Sequence, residues 1–188
     1  MTYSNSERKE LLRIARKSIA AALTREPGRE AIPTSSALNE PRGAFVTLRL
    51  GNELRGCIGY IEPNLPLSKT IHEVAQKAAF EDPRFPELTQ DELSVIEIEI
   101  SVLSPVERVT NIQEIEIGTH GLVIESGAAR GLLLPHVATS YKWDREQFLR
   151  QTSIKAGLQP DAWKKPDVMI YKFSTETFSD HLHEHHAR

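Results

Sequence analysis

Residues 95–103, Val-Ile-Glu-Ile-Glu-Ile-Ser-Val-Leu, alternate apolar and polar side chains almost without a break. A period of two marks a strand with one face on a core and the other polar. Ile96, Ile98, Ile100 and Val102 are predicted inward, and Glu97, Glu99 and Ser101 outward as a solvated acidic face that resists edge aggregation. Such a strand needs sheet partners and an apolar layer to cover its inner face.

The rest of the chain supplies both. Residues 4–23 repeat Leu11, Leu12, Ile14, Ala15, Ile19, Ala22 and Leu23 at three- and four-residue steps, an amphipathic helix with Ser4 and Glu7 as a capping box. Pro27-Gly28 is predicted to end it, and 27–42 reads as a loop. Residues 43–50 and 53–61 read as a hairpin about a Gly51-Asn52 turn. On its second strand, strict alternation puts Leu54, Gly56, Ile58 and Tyr60 on one face and Arg55, Cys57 and Gly59 on the other. A second helix is expected over 68–80, with Ile71, Val74, Ala75, Ala78 and Ala79 inward, and a capped helical turn over 89–93. The second half repeats this order in outline: strands 121–126 and 130–134 about Gly127, a helix from Asp144 to Ala156 stopped by Gly157, and a last strand over 168–173. Two rounds of hairpin, helix and strand predict an α+β fold of antiparallel sheets with packed helices; no residue-level repeat accompanies them.

At 188 residues the chain is one large domain or two small, closely joined ones. With 23 basic and 26 acidic side chains the net charge is −3, which gives nucleic acid and anionic membranes no electrostatic foothold. No apolar run approaches a membrane span, and charges interrupt the apolar positions of 7–23, so no signal peptide or membrane anchor is expected. Together with a single cysteine, this predicts a cytoplasmic protein.

That cysteine, Cys57, stands in Leu54-Arg55-Gly56-Cys57-Ile58-Gly59. Glycine on both sides permits close backbone approach, and a cation two residues away on one strand face lies roughly 6.5–7 Å off. Two functional readings follow, a nucleophile and a ligand-contacting thiol, beside the plain one of a small buried strand residue. A nucleophile needs a base, for which His120, before Gly121, and His136, after Pro135 at a strand end, are the candidates; each reads equally as a turn residue. Asp82-Pro83-Arg84-Phe85 is a further unusual fragment, with charged groups set beside proline. Arg55 and Arg84 suit an anion clamp, or a structural ion pair such as Arg84 with Asp82. Cys-x-x-Cys, His-Glu-x-x-His, phosphate-loop and Gly-x-Ser-x-Gly spacings are all missing, so the sequence supports no metal site and no nucleotide cofactor, and it names no other. The terminal run His181-Leu182-His183-Glu184-His185-His186 could bind a transition metal, and reads otherwise as a flexible tail with adventitious affinity.

The cysteine motif, Asp82-Pro83-Arg84-Phe85, His120-Gly121, Leu133-Leu134-Pro135, Trp143, Phe148-Leu149 and Lys155-Ala156-Gly157-Leu158 together resemble the AMMECR-type domain family, known in prokaryotes as AmmeMemoRadiSam system protein A. The resemblance covers about residues 8–178. It implies a single cytosolic α+β domain built of two unequal, intertwined subdomains, with the shared motifs gathered at a cleft between them and residues 179–188 as a tail. It implies a setting beside a Memo-type protein and a radical SAM protein, and supplies no reaction. Two readings follow for the cleft. In one, a small enzyme uses Cys57 as nucleophile or redox thiol and His120 as base on an anionic substrate, with Arg55, Gly56, Gly59, Asp82, Arg84 and His136 as binding residues. In the other, the same residues form a ligand- or partner-binding module without chemistry. The chain departs from the family at His136, where relatives usually carry Gln, which makes His120 the better base, and at Ser153, where many carry a second cysteine.

Overall fold

In a computed structural model, residues 2–25 and 33–180 are described; the expected helix stop at Pro27-Gly28 and the histidine run fall outside them. The fold divides into two compact units, one running to Val102 and resuming at Glu176, the other Leu103–Thr175.

In the first unit, α1 (Asn5–Thr24) starts at Ser4, whose hydroxyl accepts the Glu7 N–H while Glu7 reaches back to the Ser4 N–H. Its C-terminus is closed by Arg25 in the left-handed region, φ 53°, donating to the Ala21 and Ala22 carbonyls. Strands β1 (Ala44–Leu50) and β2 (Glu53–Tyr60) form the expected hairpin, with Gly51 at φ 58° in the turn, where a side chain would be strained. Helix α2 spans Leu67–Phe80, α3 Gln90–Leu93 and β3 Glu97–Leu103. The strand order is β2-β1-β3, antiparallel throughout. One face of this sheet carries Val46, Leu48, Ile98 and Ile100 against Leu11, Ile14 and Ile19 of α1 and Ile71, Val74 and Ala78 of α2. Each fully buried Ile contributes about 2–3 kcal/mol relative to exposure, so the alternating strand and the two helix stripes define one core.

In the second unit, β4 (Glu107–Arg108), β5 (His120–Ser126) and β6 (Ala129–Leu133) are followed by α4 (Pro135–Ser140) and α5 (Arg145–Lys155). The last strand, β7, spans Met169–Ser179, six residues beyond the expected end at Phe173. Its part up to Thr175 pairs with β5 and β4; from Glu176 onward it belongs to the first unit, where Thr177 meets Ser101 by a hydroxyl–hydroxyl bond of 2.9 Å. Phe148 and Leu149 of α5 pack on Leu122, Ile124 and Ile170. Helix α4 was not expected: Pro135 is its first residue, where a missing N–H costs nothing, and His136 therefore lies exposed in a first helical turn instead of at a strand end.

Candidate functional site

Geometry around the cysteine is set by one extra residue. A two-residue hairpin at Gly51-Asn52 would oppose Cys57 to Val46, a core position. The register instead slips between Leu48 and Arg49: Arg49 opposes Leu54, Leu48 opposes Gly56, and Arg55 is the unpaired residue of a bulge. From Gly56 onward every side chain is thereby inverted. Gly56 and Ile58 join Leu48 and Val46 on the helix-covered face; Cys57 and Gly59 join Thr47 and Phe45 on the outer face. Leu54, across from Arg49, is on that outer face too, so the strict alternation expected of 54–60 is corrected at its first step.

Cys57 is half-buried. The Thr47 hydroxyl, directly across the strand pair, donates to Sγ at 3.3 Å. Strand β2 is an edge strand, and the Cys57 peptide is completed by side chains. Its N–H donates to Asp82 Oδ2 at 2.9 Å, and its carbonyl accepts from Arg84 Nη2 at 3.3 Å. Arg84 in turn grips Asp82 with Nε at 2.9 Å on Oδ1 and Nη2 at 2.7 Å on Oδ2. The Asp82 side chain is only 2% exposed and that of Arg84 55%. Hydrogen bonds from Arg84, with the Cys57 and Arg84 N–H groups, outweigh burial and hold the Asp82 carboxyl at about 2; the same pairing raises Arg84 further above its ordinary value. A carboxylate and a guanidinium two residues apart thus stand in for a neighbouring strand at one peptide, and the rest of the guanidinium lies open to solvent at the Cys57 carbonyl.

Arg55 does something else. It is buried, and its donors go to Glu92 (Nε–Oε1 2.8 Å, Nη2–Oε2 3.0 Å), to the Pro86 carbonyl at 2.8 Å and to the Glu87 carbonyl at 3.1 Å. That pairing pulls Glu92 down to about 2, and Glu92 also caps α3 through Thr89. The expectation of Arg55 as an anion clamp beside the thiol is corrected: it ties the 86–92 segment to the bulge. The two glycines are explained by packing. A Cβ at Gly56 would collide with the Ala78 carbonyl of α2, and one at Gly59 with the Phe45 ring, so neither is available to a ligand through its own face as expected.

Both histidines belong to the second unit. His120 Nδ1 accepts the Glu116 N–H at 3.0 Å, and the His120 N–H returns to the Glu116 carbonyl at 2.9 Å. His120 Nδ1 is thus engaged in closing the 116–120 turn. The His136 carbonyl accepts the Thr139 hydroxyl at 2.8 Å, an ordinary helix-start contact. Of the expected residues, therefore, the structure brings together Cys57, Asp82 and Arg84. Among the described residues no group of three His, Cys, Asp or Glu is placed to hold a metal ion.

A model of the AMMECR1 family matches residues 12–178. The chain belongs to the AMMECR1 family. It is 44% identical over 179 residues to a protein of Methanopyrus kandleri, covering 90% of this chain and 86% of that one. A Methanothermobacter thermautotrophicus protein is 42% identical over 185 residues, covering 94% and 96%. The crystal structure of an uncharacterised protein from Pyrococcus horikoshii has the same α+β fold, with a TM-score of 0.87 at 38% identity over 95% of this chain and 93% of that one. No helix among the described residues of this AMMECR1 protein is long and apolar enough to cross a membrane. Thr47 and Glu92 are the partners that sequence reading missed. Glu92 falls inside the capped turn expected over 89–93, while Thr47 meets Cys57 only because of the bulge.

Proposed function

We propose that this AMMECR1 protein is a binding module that takes a small anionic ligand at the outer face of β2, with Arg84 as its counter-charge and Cys57 as a contact surface. The observation that carries the reading is the Arg84 guanidinium: fixed in direction by a buried carboxylate, held against the Cys57 carbonyl, and 55% exposed. Asp82 and the Cys57 carbonyl take the Nε and Nη2 donors, so Nη1 is the guanidinium edge left to donate charge-assisted hydrogen bonds to a carboxylate or phosphate. Binding is favoured over catalysis because the thiol's hydrogen-bond partner is a threonine hydroxyl and the nearest arginine in sequence, Arg55, is closed by Glu92 and two carbonyls. From the resemblance we infer a Memo-type protein and a radical SAM protein as partners, and a cytoplasmic setting. Co-purification of either partner that is lost with Arg84→Ala supports their docking at this site; co-purification that survives the change removes them from it.

The test of the site itself is a calorimetric titration with acetate and with inorganic phosphate on wild type, Cys57→Ser and Arg84→Ala. Saturable binding by wild type, retained within about threefold by Cys57→Ser and weakened at least tenfold (about 1.4 kcal/mol) by Arg84→Ala, is expected. Equal affinities in all three proteins, or no binding by any, contradicts the proposal.

A further inference from the structure

The outer face of the first unit's sheet is not the solvated surface expected of Glu97, Glu99 and Ser101: Ser101 is buried and both glutamates are half-buried. The edge formed by β2 offers more. In an antiparallel pair, alternate residues turn both backbone groups toward the partner strand, and the residues between turn both away from it. Cys57 is one that turns away, since its N–H and carbonyl meet Asp82 and Arg84 instead of β1. Gly59, two residues on in the same unbroken register and opposite Phe45, turns away as well. Successive groups along this edge are therefore the Cys57 N–H, the Cys57 carbonyl, the Gly59 N–H and the Gly59 carbonyl. Side chains close the first two. The Gly59 pair has no hydrogen-bond partner among the described residues, and Gly59 is half-buried, with the Phe45 ring where its Cβ would stand.

An unpaired N–H and carbonyl at a sheet edge are a template for another extended chain. Here the plug at Cys57 dictates how such a chain lies. It can pair with Gly59, but it cannot run on past Cys57, whose backbone groups are taken; its end must lie there, beside Arg84. A chain parallel to β2 would bring its N-terminal ammonium to the guanidinium, like charge against like. An antiparallel chain brings its C-terminal carboxylate. Its last residue then exchanges two hydrogen bonds with Gly59, donating its N–H to the Gly59 carbonyl and accepting the Gly59 N–H on one carboxylate oxygen. The other oxygen faces Nη1, the part of Arg84 that Asp82 and the Cys57 carbonyl leave unused. Arg84 already reaches the Cys57 carbonyl at 3.3 Å, and the Gly59 N–H is the next outward group, within the roughly 6.5–7 Å repeat of a strand. The last side chain of the added chain falls on the same face as Gly59 and Phe45, beside the half-buried Phe45 ring.

We propose that the anion held by Arg84 is the C-terminal carboxylate of a peptide chain, whose last residue pairs antiparallel with Gly59 and sets an apolar side chain against Phe45. The proposal rests on the reading of Arg84 as the counter-charge of an anion site and specifies what the anion terminates. Gly59 supplies selectivity: a carboxylate without an adjoining peptide N–H leaves the Gly59 carbonyl without a partner.

The experiment is calorimetry on the intact chain with four probes: N-acetyl-Ala-Ala-Leu with a free carboxylate, the same peptide amidated at that end, the free acid methylated on the Leu nitrogen, and acetate. The free acid is expected to saturate the protein and to bind about tenfold or more tighter than acetate, the amide or the methylated acid. In Arg84→Ala, acid and amide should bind alike. Methylated and unmethylated acids binding equally to wild type overturn the pairing at Gly59. Acid and amide binding equally, or an acid no tighter than acetate, overturn the chain terminus. In each of these cases a saturable response to acetate leaves the anion site standing, whereas silence of acetate and of every peptide overturns the two together. Because ligand chemistry alone separates these outcomes, the test holds even where Arg84→Ala does not fold.

Discussion

Arg55 and Arg84 are both arginines of one neighbourhood, yet burial gives them different work. Arg55 is enclosed with a bidentate carboxylate and two backbone carbonyls. Removing one member of such a pair strands the other in a poorly hydrated place. Arg55→Ala should therefore lower unfolding stability by about 3 kcal/mol, and Arg55→Lys, which loses the planar fork, by about half of that; urea titration checks both. An Arg55→Ala protein with wild-type stability would show that the Glu92 clamp is idle. Gly56 makes a steric claim of the same size. Its missing Cβ is where the Ala78 carbonyl sits, so Gly56→Ala should force α2 off the sheet and cost about 1–3 kcal/mol, whereas Gly51→Ala, in open space, should show only its left-handed strain.

At the scale of elements, the edge of β2 is guarded by side chains instead of a strand, and that makes it acid-sensitive. Asp82 and Glu92 are both held at about 2, below ordinary values of 3.8 and 4.5. A carboxylate whose folded pKa is depressed adds stability that is fully present above the unfolded pKa and is lost as pH falls through the folded one. Stability should thus be flat above about pH 5 and fall between about pH 4.5 and 2, with about 2 kcal/mol of that from Asp82. Denaturant titrations at pH 6, 4 and 2.5 measure it; Asp82→Asn should flatten part of the slope, and an unchanged slope would remove Asp82 from the account. Most elements were legible in the sequence because periodicity and capping are local: α1 with Ser4 and Glu7, the hairpin with Gly51, and β3 with its isoleucines. The bulge at Arg55 was not. A glycine inside a strand is a known signal for one, but nothing local says that Arg55, rather than Gly56, is the extra residue, and that choice decides which way Cys57 points. Helix α4 was missed because its six residues are too few to show a period, and the end of β7 because its partner residues lie more than 70 positions away in sequence.

For the whole molecule, the discontinuous first unit is closed by its last residues. Glu176 accepts from the Tyr3 N–H and pairs with Arg8, while Asp180 pairs with Arg16 and accepts the Ile98 N–H at 2.6 Å. Asp180→Ala should accelerate hydrogen exchange in α1 and β3 and leave β5 and β6 unchanged, as expected when units open separately. Uniform acceleration throughout the chain would mean a single cooperative unit. Contacts of this kind join the two ends of the chain, and no sequence window contains both. The same limit applied to the candidate site. Cys57 and Arg84 were readable as residues, but their meeting at one peptide of β2, and the withdrawal of Arg55 from it, depend on the folded register. The central claim is that the solvent-facing guanidinium at that peptide receives an anion. It is tested most directly by amide chemical-shift mapping of the labelled protein during an acetate titration. The account predicts saturable shifts centred on Cys57 and Arg84 that disappear in Arg84→Ala; shifts centred elsewhere, or unchanged in the variant, would contradict it.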